Sequence, residues 1–182
     1  AWQWGLIAVA TLTVGWLGWL VGAEVAIDEL TPGILINVIA AGAGGVVGWV
    51  AVQLILHQSI SMLSAVAGLV SGLVAVTAGA PLYGPVSAVV VGIVAGVAAS
   101  LFTLRRVATT ARGHWFIVGS HLLAGSVGLV MLALIGNDLG FLFTGQYVLL
   151  RDQVICAVLT AVYSAGVSWL LWRAVRTVGA HP

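Results

Sequence analysis

Long apolar runs separated by short polar breaks repeat along the entire chain. Six such runs fall at about residues 3–23, 33–56, 60–78, 85–104, 114–135 and 147–172. A helix needs about 20 apolar residues to cross roughly 30 Å of hydrocarbon, and each run supplies them. The pattern predicts an all-α integral membrane protein in which six transmembrane helices form a single domain over residues 1–182. Pro32, Pro81 and Pro85 fall in the breaks or in a first helical turn, where a missing N–H costs little.

The charges in the breaks sort by sign. Glu24, Asp28, Glu29, Asp138 and Asp152 fall on one side of the bilayer, and Arg105, Arg106, Arg112, Arg173 and Arg176 on the other. Arg151 alone breaks the sorting. The positive-inside rule therefore places the 105–112 arginine loop in the cytoplasm, and an even number of spans puts both termini there too. Trp2, Trp4, Trp115, Trp169 and Trp172 are expected at the cytoplasmic interface as an aromatic belt. Trp16, Trp19 and Trp49 lie deeper and require packing partners or a cavity.

Composition narrows the class further. The chain is 62% hydrophobic and 6% charged, with a mean hydropathy of +1.19. A soluble domain needs a charged surface, whereas a surface facing lipid must be apolar. A net charge of +1 offers no basic face for nucleic acid. The single cysteine, Cys156, permits no internal disulfide and is read as a small packing residue of the last helix. The chain opens on Ala1, so its natural start is expected upstream or removed by processing. The first run lacks the charged-then-apolar pattern of a signal peptide.

Small residues recur four apart at Gly44/Gly48, Gly68/Gly72 and Gly92/Gly96. Such pairs let helix backbones approach closely, and a tight bundle is expected.

Chemistry-bearing patterns are sparse. The sequence holds no nucleotide loop, metal-spaced cluster, nucleophile elbow or paired intramembrane carboxylates, so no catalytic residue, metal site or cofactor is expected and the chain is read as a non-enzyme. Of the four histidines, His57 and His114 lie at span ends and His181 in the tail, while only His121 falls well inside a span. An ionisable side chain at that depth is a functional candidate by default. Three readings stand beside one another: a pore-lining proton relay, a neutral imidazole hydrogen-bonded across helices, and a ligand to haem or chlorophyll. No second buried histidine supports the last.

Several stretches are similar to one known family. Gly15–Ala23 reads GWLGWLVGA, which looks like a sixth-helix GWFGFNAGS. Ala67–Thr77 (AGLVSGLVAVT) is similar to an eighth-helix SGAVAGLVAIT, and the stretch from Gly84 to Val97 to SPWGALIIGLIAGV. Ser120-His121 through Gly128 lines up with a tenth-helix VHGVGGIVG, and Val162-Tyr163-Ser164 also fits. Together these resemble the second half of the ammonium transporter / Rhesus protein family, from the sixth helix to the eleventh. The resemblance implies half of an inverted-repeat fold whose complete form encloses a narrow apolar ammonium pore and assembles as a trimer. By position, His121 matches the second pore histidine and Trp19 an outer gating phenylalanine. Thr77 matches a family threonine of structural role.

The departures are specific. Ala23 replaces the vestibule serine that would accept a hydrogen bond from ammonium, and Leu20 replaces a neighbouring asparagine. Phe116 stands where the tenth-helix motif carries an aspartate, and bulky Leu122 and Leu123 replace a small pair. The first five helices, with the partner histidine and the other gate residue, lie outside the resemblance. The resemblance thus implies conduction of ammonium only with a partner chain supplying the first half. The alternative is a non-transporting accessory subunit of a larger respiratory, photosynthetic or oxygenase membrane complex. Partners on either reading are the lipid bilayer and other membrane subunits. Head-to-tail pairing of two copies is rejected, because it needs a weak arginine bias.

Overall fold

The computed structural model describes residues 2–56, 58–104 and 112–178. Among these residues every regular element is helical. They are α1 (Trp2–Ala23), α2 (Thr31–Ile55), α3 (Met62–Val76), a 3-10 turn at Ala80–Leu82, α4 (Pro85–Leu104), α5 (Arg112–Ile117), a π-helical turn at Val118–Leu123, α6 (Ala124–Ile135), α7 (Phe141–Thr144) and α8 (Val148–Val178). The α5 segment, the π turn and α6 follow one another without a break and make one rod. In a bilayer every backbone polar group must be satisfied within its own segment, which selects helices for such apolar runs.

Among the described residues five stretches are long and apolar enough to cross a membrane: Gly5–Ala23, Thr31–Ile55, Pro85–Leu104, His114–Ile135 and Val148–Thr177. The chain is an integral, multi-pass membrane protein. The third apolar run gives a shorter helix. α3 has 15 residues, about 22 Å at 1.5 Å per residue. Its start is set by a capping box, with Ser61 and Ser64 bonding each other's backbone N–H. After Val76 the chain turns through Gly79 into the 3-10 turn.

At one end of the bundle the loop after α3 is bonded to α2, to α6 and to the loop after α6. The Asn37 amide donates to the carbonyls of Ala80 at 2.9 Å and Tyr83 at 2.6 Å. The Tyr83 hydroxyl donates to the Gly128 carbonyl at 3.0 Å, and the Asn137 N–H to the Leu82 carbonyl at 2.8 Å. The breaks that carry Glu24, Asp28, Glu29, Asp138 and, at the start of α8, Asp152 all lie at this end. Arg173 and Arg176 lie at the opposite end, in the last turns of α8. Arg105 and Arg106 fall outside the described residues, as do His57 and His181.

The core is built from α2, α3, α4 and α6, and glycines make it dense. A Cβ on Gly45 would run into the backbone of Gly68 and Gly72, and one on Gly48 into Ile93. Gly72 and Gly92 both abut the Ala41 carbonyl, Gly96 the Gly45 carbonyl, and Gly128 the Ala75 carbonyl. Helix axes this close are reached only where side chains are absent. Around these contacts Ile34, Val38, Leu73, Val76 and Val91 are fully buried.

The flanking helices differ from the core. Only 6% of the α1 span and none of the α8 span is buried. The tight bundle is thus a property of the inner helices. Cys156 is exposed on α8, so it is not the packing residue expected from sequence. The reason is that α8 meets the bundle along one face, against α6, and turns the rest outward.

Candidate functional site

Between the His121 rod and α8 runs an apolar groove of about 780 Å³. One wall carries His121, Leu122, Gly125 and Ser126, and its floor includes Thr77 at the end of α3. The other wall is Ala157, Thr160, Ala161, Ser164, Ala165 and Ser168 of α8. Those positions recur every three to four residues, which places them on one helical face. Because all six are small, α8 lies alongside the rod without filling the space between them.

The π turn carries the histidine. Such wide turns are rare in helices and concentrate at functional sites. Here the Ser120 hydroxyl donates to the Phe116 carbonyl at 2.8 Å. It also lies 2.9 Å from His121 Nδ1. A hydroxyl has one proton to donate. With the hydroxyl proton on that carbonyl, a neutral imidazole bonded to Ser120 has its proton on Nδ1 and its lone pair on Nε2; with the hydroxyl proton on Nδ1 the roles reverse. Ser120 itself is fully buried, whereas the His121 ring is exposed along the groove. The hydrogen bond of His121 is to its own neighbour rather than across helices. Among the described residues no three of His, Cys, Asp and Glu come together as a metal site would need.

The other residues singled out from sequence fall elsewhere. Trp19 is 56% exposed on α1 and touches Trp16 edge-on, with ring centroids 5.5 Å apart. Trp16 donates its indole N–H to the Thr77 hydroxyl at 3.0 Å. The aromatic pair therefore reaches the groove through Thr77, but neither tryptophan lines it. Ala23 ends α1, exposed, near the acidic loop, and Leu20 is buried in the core. Leu122 stands on the groove wall, half exposed, and leaves the groove open. Phe116 packs against Trp49 at 6.4 Å, and the buried Trp49 N–H has no acceptor. His114 is exposed at the start of the rod.

Sequence reasoning passed over Ser120 and the polar atoms of Thr160, Ser164 and Ser168. The periodic small residues of α8 were the available signal, as was the hydroxyl directly before His121.

The sequence profile of the Ammonium Transporter Family matches residues 5–180. The chain belongs to the Ammonium Transporter Family. An ammonium transporter of Corynebacterium glutamicum is 25% identical over 176 residues, which cover 91% of this chain and 38% of that protein. An ammonium transporter of Bacillus subtilis is 32% identical over 71 residues, 39% of this chain and 18% of that protein. The chain thus spans less than two-fifths of the length of these ammonium transporters. As a member of the Ammonium Transporter Family with several apolar crossing helices, it is a multi-pass membrane protein.

Proposed function

We propose that this chain forms one wall of an ammonium-conducting pore, closed by the first half of the family fold on a partner chain or elsewhere in the same polypeptide. The observation that carries the reading is the His121 imidazole exposed along a largely apolar groove, with Nδ1 2.9 Å from the Ser120 hydroxyl; on this reading Nδ1 carries the proton and Nε2 the lone pair. An apolar wall disfavours a bare cation, so ammonium must shed a proton to pass. Nε2 accepts that proton, and the ammonia left behind crosses the apolar stretch. The imidazolium keeps its Nδ1–H bond to Ser120, so the ring stays in place in both charge states.

On this reading Trp19 occupies the outer gate, and Ala23 marks the vestibule position where a polar contact to the cation has been lost. The acidic end of the bundle faces outward and the Arg173–Arg176 end faces the cytoplasm, in keeping with the positive-inside rule.

The test is methylammonium uptake into proteoliposomes made from the protein in its native assembly. His121→Ala should abolish uptake, while Ala23→Ser and Leu122→Gly should raise it. Uptake untouched by His121→Ala overturns the pore reading.

A second reading is favoured by the apolar surfaces of α1 and α8, which are almost entirely uncovered. They suit a helix-packing accessory subunit of a larger membrane complex. Native mass spectrometry separates the two: a compact assembly with one chain of about five spans supports the pore, and co-migration with a large complex supports the accessory role.

A further inference from the structure

We propose that the C-terminal end of α8 is a binding site for the phosphate of an anionic phospholipid. The Arg173 guanidinium lies 5.1 Å from the Trp169 ring centroid, and that of Arg176 lies 4.7 Å from the Trp172 ring centroid. Both pairs are four residues apart, so the four side chains share one face, and together with Thr177 they enclose a groove of about 460 Å³. Stacking holds each guanidinium while its in-plane N–H donors remain free to bind oxygen, the geometry that suits phosphate.

Among the described residues no side-chain carboxylate lies at this end to take these donors. Asp152, on the same helix, is 21 residues from Arg173, about 31 Å along the axis and several screening lengths away. It is already paired with Arg151 at 2.8 Å. That separation also sets the depth. With the Arg151–Asp152 pair at one interface, a rise of about 31 Å brings Arg173 to the headgroups of the other leaflet. Two tryptophans at the same level mark the interface independently. The counter-charge is thus supplied from outside, at a depth where phospholipid phosphates are the abundant anions.

The site also discriminates. One face of each indole is taken by a guanidinium, whose charge opposes the approach of a choline ammonium to the same ring. Two fixed positive charges repel any cationic headgroup, so a lipid with net negative charge is favoured over a zwitterionic one.

The test is native mass spectrometry of the full protein in mild detergent, titrated with phosphatidylglycerol or with phosphatidylcholine of the same acyl chains. The wild-type protein should bind phosphatidylglycerol more tightly. The Arg173→Gln/Arg176→Gln variant should lose roughly tenfold or more of that affinity and retain its phosphatidylcholine binding, which also reports that it is folded. Arg173→Lys/Arg176→Lys, which keeps charge without the planar fork, should fall between. Arg151→Gln, at the opposite end, should bind as wild type. Unchanged phosphatidylglycerol affinity in the double glutamine variant overturns the site. Equal loss in Arg151→Gln reduces it to general charge attraction and also overturns it. Displacement of the lipid by equimolar inorganic phosphate would assign the site to a free anion and overturn the lipid.

Discussion

The Trp16 indole N–H donates to the Thr77 hydroxyl, which in turn donates to the Leu73 carbonyl at 2.7 Å. This two-bond chain ties α1 to the end of α3, beside the apolar contacts that Leu17, Leu20 and Val21 make with the core. Trp16→Phe or Thr77→Val should each cost about 1 kcal/mol. The loss should appear as faster amide hydrogen exchange in α1, with α2–α4 unaffected. The double variant should cost little more than either single one, because both remove the same bond.

On the proposed reading, Ser120 sets which ring nitrogen of His121 carries the proton. In Ser120→Ala the Phe116 carbonyl loses its donor and Nδ1 loses its acceptor. Nitrogen NMR of the imidazole should report a predominantly Nδ1-protonated ring in the wild type and a mixture of tautomers in the variant. A wild-type spectrum dominated by the Nε2–H form would sink the proton-acceptor role assigned to Nε2.

Gly45→Ala should be severe. The added methyl meets the backbone of Gly68 and Gly72 rather than a side chain that could move aside. Overpacking of this kind costs roughly 1–3 kcal/mol or more, and α2 and α3 should separate at a lower temperature in detergent melts. Gly15→Ala and Gly166→Ala provide the contrast. A Cβ at either meets nothing within 4 Å, and both lie in helices, so they should be neutral or slightly stabilising.

The Tyr83 phenol sits in the loop between α3 and α4, and burial pushes its ionisation well above the usual phenol value of about 10. The sign follows directly. Between the unfolded value and the higher folded value the unfolded chain binds fewer protons, so stability falls as pH rises. Tyr83 contributes fully below about pH 10, and its contribution is lost as the pH climbs through the folded value. Tyr83→Phe should melt lower at pH 8, having lost the bond to the Gly128 carbonyl, and should show a shallower alkaline decline. A decline as steep as that of the wild type would assign it to other groups.

The all-helical membrane fold was legible because crossing a bilayer leaves an apolar run no alternative to a helix. Gly44, Gly48, Gly68, Gly72, Gly92 and Gly96 announced close packing through their spacing alone, and the structure shows backbone against backbone at each of them. What hydropathy could not convey is direction around a helix axis. A run that is apolar on all sides does not say which face meets protein. Hence Cys156 is exposed on α8, contrary to the packing read from sequence, and Trp19 is exposed on α1 with Trp16 as its ring partner. The His121 ring lies along an open groove for the same reason. The π turn escaped notice because tertiary packing, not residue propensity, selects it.

That wide turn has a consequence for the length of the chain itself. Val118–Leu123 takes up more residues per turn than the helices on either side of it. Deleting one residue there would restore an ordinary helical pitch without shortening any loop. The residues beyond it would keep their present faces, because the wide turn spends one extra residue on the same rotation; regularising the turn with no deletion would instead swing them by about 100°, carrying Gly128 away from the Ala75 carbonyl and taking Leu132 out of the core. The surplus residue thus lets one rod set Gly119 against Ala99 of α4 and Gly128 against Ala75 of α3.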